Sequence, residues 1–176
     1  MPDLAERDPF GRHVFLGGNT LLPQLLREQR ADLAPLAPDE ALLELERLTR
    51  DQLRRRTAQV SIEGLARDAE RLTFAVRVET LTGHKFPTGH PTRRAWLRVR
   101  LRDAGGRVVF ASGEFDARGR IVDRSGQPLP TEVADGPLQP HHERITGAGQ
   151  VQVYQAVMAD RSGAPTFLLL RGEGYV

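Results

Sequence analysis

The sequence predicts a mainly β protein, an antiparallel sandwich preceded by two N-terminal helices. Three observations predict it. Leucines recur at helical spacing through the first third, apolar residues recur at every second position from Gln59 onward, and clusters of Gly, Pro and Asp separate the alternating runs. The helical segment is expected over residues 1–58, packing on a β-sandwich domain over 59–176.

The elements follow in order. Asn19 is a good helix cap ahead of Leu21, Leu22, Leu25 and Leu26, with Pro23 tolerable only in a first turn. A second helix is expected near Pro38-Asp39, where a proline and a capping aspartate precede A-L-L-E-L-E-R-L. Leu42, Leu45 and Leu48 share one face of it, and Arg47, Arg50, Arg54 and Arg55 point elsewhere as a solvated face favoured by the helix dipole. Val60 and Ile62 then alternate with polar neighbours, and A-R-D-A-E-R makes a turn. Leu72, Phe74, Val76 and Val78 form one face of the next strand. Leu97, Val99 and Leu101 alternate with arginines, and Asp103-Ala104-Gly105-Gly106-Arg107 reads as a hairpin loop into Val108-Val109-Phe110. Val151, Val153 and Val157, then residues 166–170, supply the last strands. Six or so strands of this kind describe an immunoglobulin-like sandwich. Residues 112–148, rich in Gly, Pro, Asp and Arg, read as a long loop region at one end of it.

Composition narrows the function. Of the 176 residues, 39% are apolar and 27% charged, ordinary for a soluble globular protein. No apolar run approaches the length of a membrane span, and the first eight residues lack the pattern of a signal peptide. A net charge of +2 gives little support to polyanion binding, so no nucleic-acid partner is expected. The chain has no cysteine, which excludes disulfides, thiolate metal sites, a catalytic Cys and covalent haem through C-x-x-C-H. Any metal or haem contact therefore falls to His, Met, carboxylates or backbone.

The chemistry-bearing residues are sparse. His13, His84, His90, His141 and His142 all fall in loops or at element edges. His84 and His90 bracket Lys85-Phe86-Pro87-Thr88-Gly89, a segment that Pro and Gly should hold rigid, and a pre-set imidazole loses little entropy on coordination. The spacing matches no standard zinc pattern, so a packed, hydrogen-bonded loop is the simpler reading. His141-His142-Glu143 offers ligands, but in a strand the two histidines would face opposite ways. No serine lies in a nucleophile motif. Gly17-Gly18-Asn19 could offer free amides to an anion but lacks the rest of a phosphate loop. Arg93-Arg94 beside Trp96 could stack on a flat partner, or pack across strands with surface ion pairs.

Four segments carry a resemblance. R-H-V-F-L-G-G-N (residues 12–19), G-H-K-F-P-T-G-H-P-T-R-R-A-W-L (83–97), V-V-F-A-S-G (108–113) and Q-V-Q-V-Y-Q-A-V-M (150–158) occur in this order. In this the chain resembles the haem-free C-terminal β domain of multihaem c-type cytochromes, in which C-x-x-C-H modules precede this region. The resemblance implies haem c held by an upstream segment or a partner chain, none bound covalently here, and a periplasmic or extracellular location. It implies a role in scaffolding electron transfer, without bond-making chemistry, and it makes His13 the first candidate axial ligand to haem iron and His84 the second. His90 stands where similar proteins often carry an aromatic residue, so no role passes to it. The family's last haem motif often ends in Met-Pro, and this chain begins Met1-Pro2, which fits an internal Met or a haem-bearing segment elsewhere.

Two other classes compete. One is a stand-alone β-sandwich binding module that recognises a protein or carbohydrate through Trp96, Arg93 and the long loops. The other is a mononuclear metal protein using His84, His90 and His141.

Overall fold

In the computed structural model, residues 16–87, 90–133, 136–166 and 168–175 are described. The chain divides into two compact units, Met1–Gly83 and His84–Val176. The expected boundary at 58/59 falls inside the first, so the leading strands group with the helices.

The first unit begins with the capping predicted at Asn19. Its side-chain oxygen accepts from the amides of Leu21 (2.9 Å) and Leu22 (3.0 Å) and starts α1, Leu21–Glu28, with Pro23 buried in the first turn. A short α2, Arg30–Leu33, follows and was not expected; it ends at Ala34, whose φ is +41°. Pro38 leads into α3, Asp39–Asp51, with Asp39 and Glu40 in its first turn, where the helix dipole favours acids. Leu42 and Thr49 are buried on its inner face, and α1 packs against it. Arg30 fixes the turn between α2 and α3, donating to Asp39 Oδ1 (2.6 Å) and to the carbonyls of Pro35 (3.1 Å) and Ala37 (2.5 Å). α3 runs on as a π-helical turn over Gln52–Arg56, closed where the Thr57 hydroxyl donates to the Gln52 carbonyl at 2.8 Å. The described residues thus hold three α-helices in place of two.

β1, Ala58–Arg67, and β2, Leu72–Thr80, form an antiparallel ribbon with Val60 opposite Val78 and Ile62 opposite Val76. The apolar faces that alternation predicts therefore meet across the ribbon. Asp68 closes the turn by accepting from the amides of Glu70 and Arg71. Val60 and Ile62 are 59% and 64% exposed, so the ribbon's apolar side carries no second layer among the described residues.

The second unit is built from short pieces. β3, Arg94–Trp96, pairs with β6, Val153–Gln155; β4, Val99–Arg102, pairs with β5, Val108–Ser112. β7, Met158–Ala159, lies between β8, Pro165–Thr166, and β9, Gly174–Tyr175. The strands are antiparallel but belong to small separate sheets rather than to two extended facing layers. Residues 166–170 do not make one strand: β8 stops at Thr166 and Leu169–Arg171 is a 3-10 turn.

Part of the core of this unit lies where a loop was expected, at Ile121 and Leu129. Ile121, Leu129 and Val151 are buried together, with Trp96 and Val153 against them. Ile121 and Leu129 are held by tight turns that share one chemistry. At Asp103, Asp116, Asp123 and Asp160 the carboxylate accepts from the backbone amide four residues on, at 2.9–3.0 Å. In each, a glycine three residues after the aspartate takes φ between +76° and +82° or, at Gly163, +84°. Each aspartate's own amide donates back across the turn, to the carbonyls of Arg107, Arg120, Gln127 and Ala164. This is a type I turn closed by a left-handed residue, which joins antiparallel strands with the twist they need.

Candidate functional site

The segment from His84 to Trp96 divides into two physically different halves. In the first, His84 and Lys85 are exposed, and Phe86, joined to Pro87 through a cis peptide bond, sets its ring 6.3 Å from that of Tyr154. His90 is exposed; its Nδ1 lies 2.8 Å from the Thr92 hydroxyl and 3.5 Å from the Thr92 amide. The amide of Arg93 donates to the His90 carbonyl at 3.0 Å and closes the turn into β3.

The second half is locked. Arg94 donates both terminal nitrogens to the two carboxylate oxygens of Glu132, each at 2.6 Å, and also to the Gly119 carbonyl at 3.0 Å. The Glu132 side chain is only 3% exposed and additionally accepts from the Ile121 amide at 3.0 Å. A bidentate guanidinium–carboxylate pair of this kind is among the stronger polar contacts, because both partners are ionised and the geometry is planar. The Arg94 guanidinium lies 5.4 Å from the centre of the Trp96 ring, within cation–π range. Trp96 donates Nε1–H to the Gly113 carbonyl at 3.0 Å, and Phe115 meets its ring edge to face at 5.8 Å. Arg98 stands over Phe115 and, with Arg100, binds Glu114, whose carboxyl is pulled down to about 2 by hydrogen bonds from Arg100 and then Arg98. The structure thus takes the packing reading of Arg94 and Trp96: the indole is engaged by its own chain. Beside β3 lies a cavity of about 230 Å³ lined by Pro91, Thr92, Arg94, Glu132, Gln139 and Met158, among others.

His141 and His142 sit in a loop, not the strand on which the two-face argument rested. Both are tied to Gln152, which is 4% exposed: its Oε1 accepts from the His142 amide and its Nε2 lies on His141 Nδ1, each at 2.8 Å. The first bond fixes the carboxamide orientation, so Nε2 donates and His141 Nδ1 accepts. The ring proton of neutral His141 is then on Nε2. That polarity is wrong for iron ligation through Nε2, which needs a free lone pair there and a proton on Nδ1.

His13, the first sequence candidate, lies outside the described residues. His84 is an exposed loop residue, and His90 joins it on the same loop. Among the described residues no group of three His, Asp or Glu side chains converges as a metal site, so His84, His90 and His141 are not brought together. Glu132 was missed from the sequence. The signal was indirect: two adjacent arginines entering an inward-packing strand need a buried acid. Comparison with protein-family models, with curated proteins and with solved structures gave no match.

Proposed function

We propose that the chain is the haem-free part of a multihaem cytochrome c system, in which haem c is carried by an upstream segment or a partner subunit in the periplasm or outside the cell. Its work in that reading is scaffolding and docking, with histidines offered to haem iron, and no bond-making chemistry. The observation that carries the reading is the ordered set of four segments centred on residues 83–97. The physical character of that segment supports it: exposed imidazoles at one end and, at the other, an ion-paired, aromatic-packed base that holds the loop's exit in place. The absence of cysteine is compatible with a haem held elsewhere. No helix among the described residues is long and apolar enough to cross a membrane.

The immunoglobulin-like sandwich belongs to the same proposal. A two-stranded ribbon with an uncovered apolar side is marginal in water, so the exposed Val60 and Ile62 on β1 favour a second layer in the assembled protein.

The test is titration of the purified chain into a haem c peptide that keeps one axial position open, followed by the Soret band. Conversion to a bis-histidine, low-spin spectrum that weakens in His13→Ala or His84→Ala is expected. A spectrum unchanged at saturating protein would overturn axial donation by this chain.

A further inference from the structure

The ribbon of β1 and β2 has two open edges, and they are not alike. Among the described residues each of these strands pairs only with the other. Two strands alone make a marginal sheet, and an unpaired edge invites another strand unless something blunts it. β1 is blunted by a bulge: Gly64 and Leu65 stand opposite Phe74 alone, and Gly64 takes a φ of +61°. β2 has no such break from Ala75 to Thr80.

The direction of β2's backbone groups follows from one bond. The Leu81 amide donates to the Thr57 carbonyl at 3.0 Å, one step beyond the paired Ala58 and Thr80. Bonded positions alternate along an antiparallel pair, so Glu79 and Arg77 turn their amides and carbonyls toward β1. Thr80, Val78 and Val76 turn theirs to the open edge. The charges of β2 are Arg77 and Glu79, opposite in sign and on one face. Arg77 is loosely held within its own chain. Its nitrogens lie 3.6 Å from Glu63 and 3.8 Å from Glu79, beyond hydrogen-bond length, and all three side chains are more than half exposed.

We propose that β2 pairs with β2 of a second copy of this chain, antiparallel about a two-fold axis at Val78. In that register Val78 faces its own equivalent, Val76 faces Thr80, and the outward backbone groups of all three positions meet. Arg77 then lies directly opposite the partner's Glu79, and Glu79 opposite the partner's Arg77, at the unbonded positions where side chains approach most closely. An axis at Arg77 or Glu79 sets like charges face to face. One at Val76 or Thr80 sets each charge opposite an uncharged residue, so only the Val78 register pairs both. The two ribbons become one four-stranded sheet, and the apolar side that holds Val60, Ile62, Val76 and Val78 doubles in width. The association uses no haem and is independent of the haem reading.

The test is the mass of the full chain in solution, by analytical ultracentrifugation over a concentration series at low and high salt. A dimer of twice 19.6 kDa is expected, weaker at high salt. Arg77→Glu and Glu79→Arg each bring like charges together and are expected to weaken dimerisation roughly tenfold or more. Mixing the two variants restores a dimer, because each chain then supplies the charge that the other has lost. Circular dichroism of each variant checks that it folds, as the exposure of both side chains leads one to expect. A wild-type chain that stays monomeric at every concentration would overturn the proposal. So would a dimer that neither substitution weakens, which places the contact elsewhere. Variants that dissociate singly but fail to recombine in the mixture overturn the Val78 register.

Discussion

At the scale of single residues, the second unit hangs on a few side chains whose partners are far away in sequence. Glu132 meets Arg94 across 38 positions, and with Gly119 and Ile121 it ties the turn at 116–120 to β3. Replacing Glu132 by Ala would leave a largely enclosed guanidinium without its counterion, at a cost of about 3 kcal/mol, measured as a lower denaturation midpoint with an unchanged slope. Gly113 is equally constrained. Its φ is +75°, and a Cβ there would overlap the Leu97 carbonyl oxygen. Gly113→Ala should therefore destabilise by about 1 to 3 kcal/mol, read in the same denaturation series, whereas Gly149→Ala, with open space around it, should not. Glu114 gives a pH signature. Its carboxyl is held near 2 in the folded chain, below its unfolded value of roughly 4.3, so the unfolded state binds the proton first as pH falls. The stability it contributes is fully present above the unfolded value and is lost as pH drops from there through about 2. Glu114→Gln should flatten that part of the stability–pH curve, followed by chemical denaturation.

At the scale of elements, legibility followed the length of the pattern. The apolar faces of β1 and β2 were readable because each strand holds several alternating positions, and the Asn19 cap was readable because capping is local chemistry. Asn19→Ala should cost α1 about 1 kcal/mol, seen as lost helical signal at intermediate denaturant. The turn at Asp103 was read, yet its relatives at Asp116 and Asp123 fell within the expected long loop, and the one at Asp160 was not singled out. They share the aspartate and the glycine three residues later, but the flanking pairs are too short to show a period of two. Ile121 and Leu129, isolated between such turns, therefore looked like loop residues and proved to be core. Hydrogen bonds hold these carboxyls below their usual range, chiefly from the Arg120 amide to Asp116, from the Ser125 hydroxyl to Asp123 and from the Ser162 hydroxyl to Asp160. Folded-state values depressed in this way mean that these turns, too, lose stabilisation in acid. The extra helix α2 was illegible for a related reason: its four residues carry no face.

At the scale of the whole molecule, the sequence predicted antiparallel strands after helices, and that is the order observed. It did not predict the division at Gly83/His84, because the ribbon's alternation says which residues face together and nothing about what they face. The candidate site was legible to the same degree. His84 and His90 could be placed on a loop from Pro and Gly alone, whereas the polarity of each imidazole depends on neighbours such as Gln152, eleven residues from His141, that no local pattern reveals. The claim that joins these levels is that the chain works beside haem it does not itself bind covalently. The most direct measurement is the absorption spectrum and intact mass of the protein purified under native conditions from its source organism. The account predicts a c-type haem spectrum, on a polypeptide longer than 19.6 kDa or on a subunit that co-purifies with it. A colourless 19.6 kDa protein purified without a haem-bearing companion would contradict it.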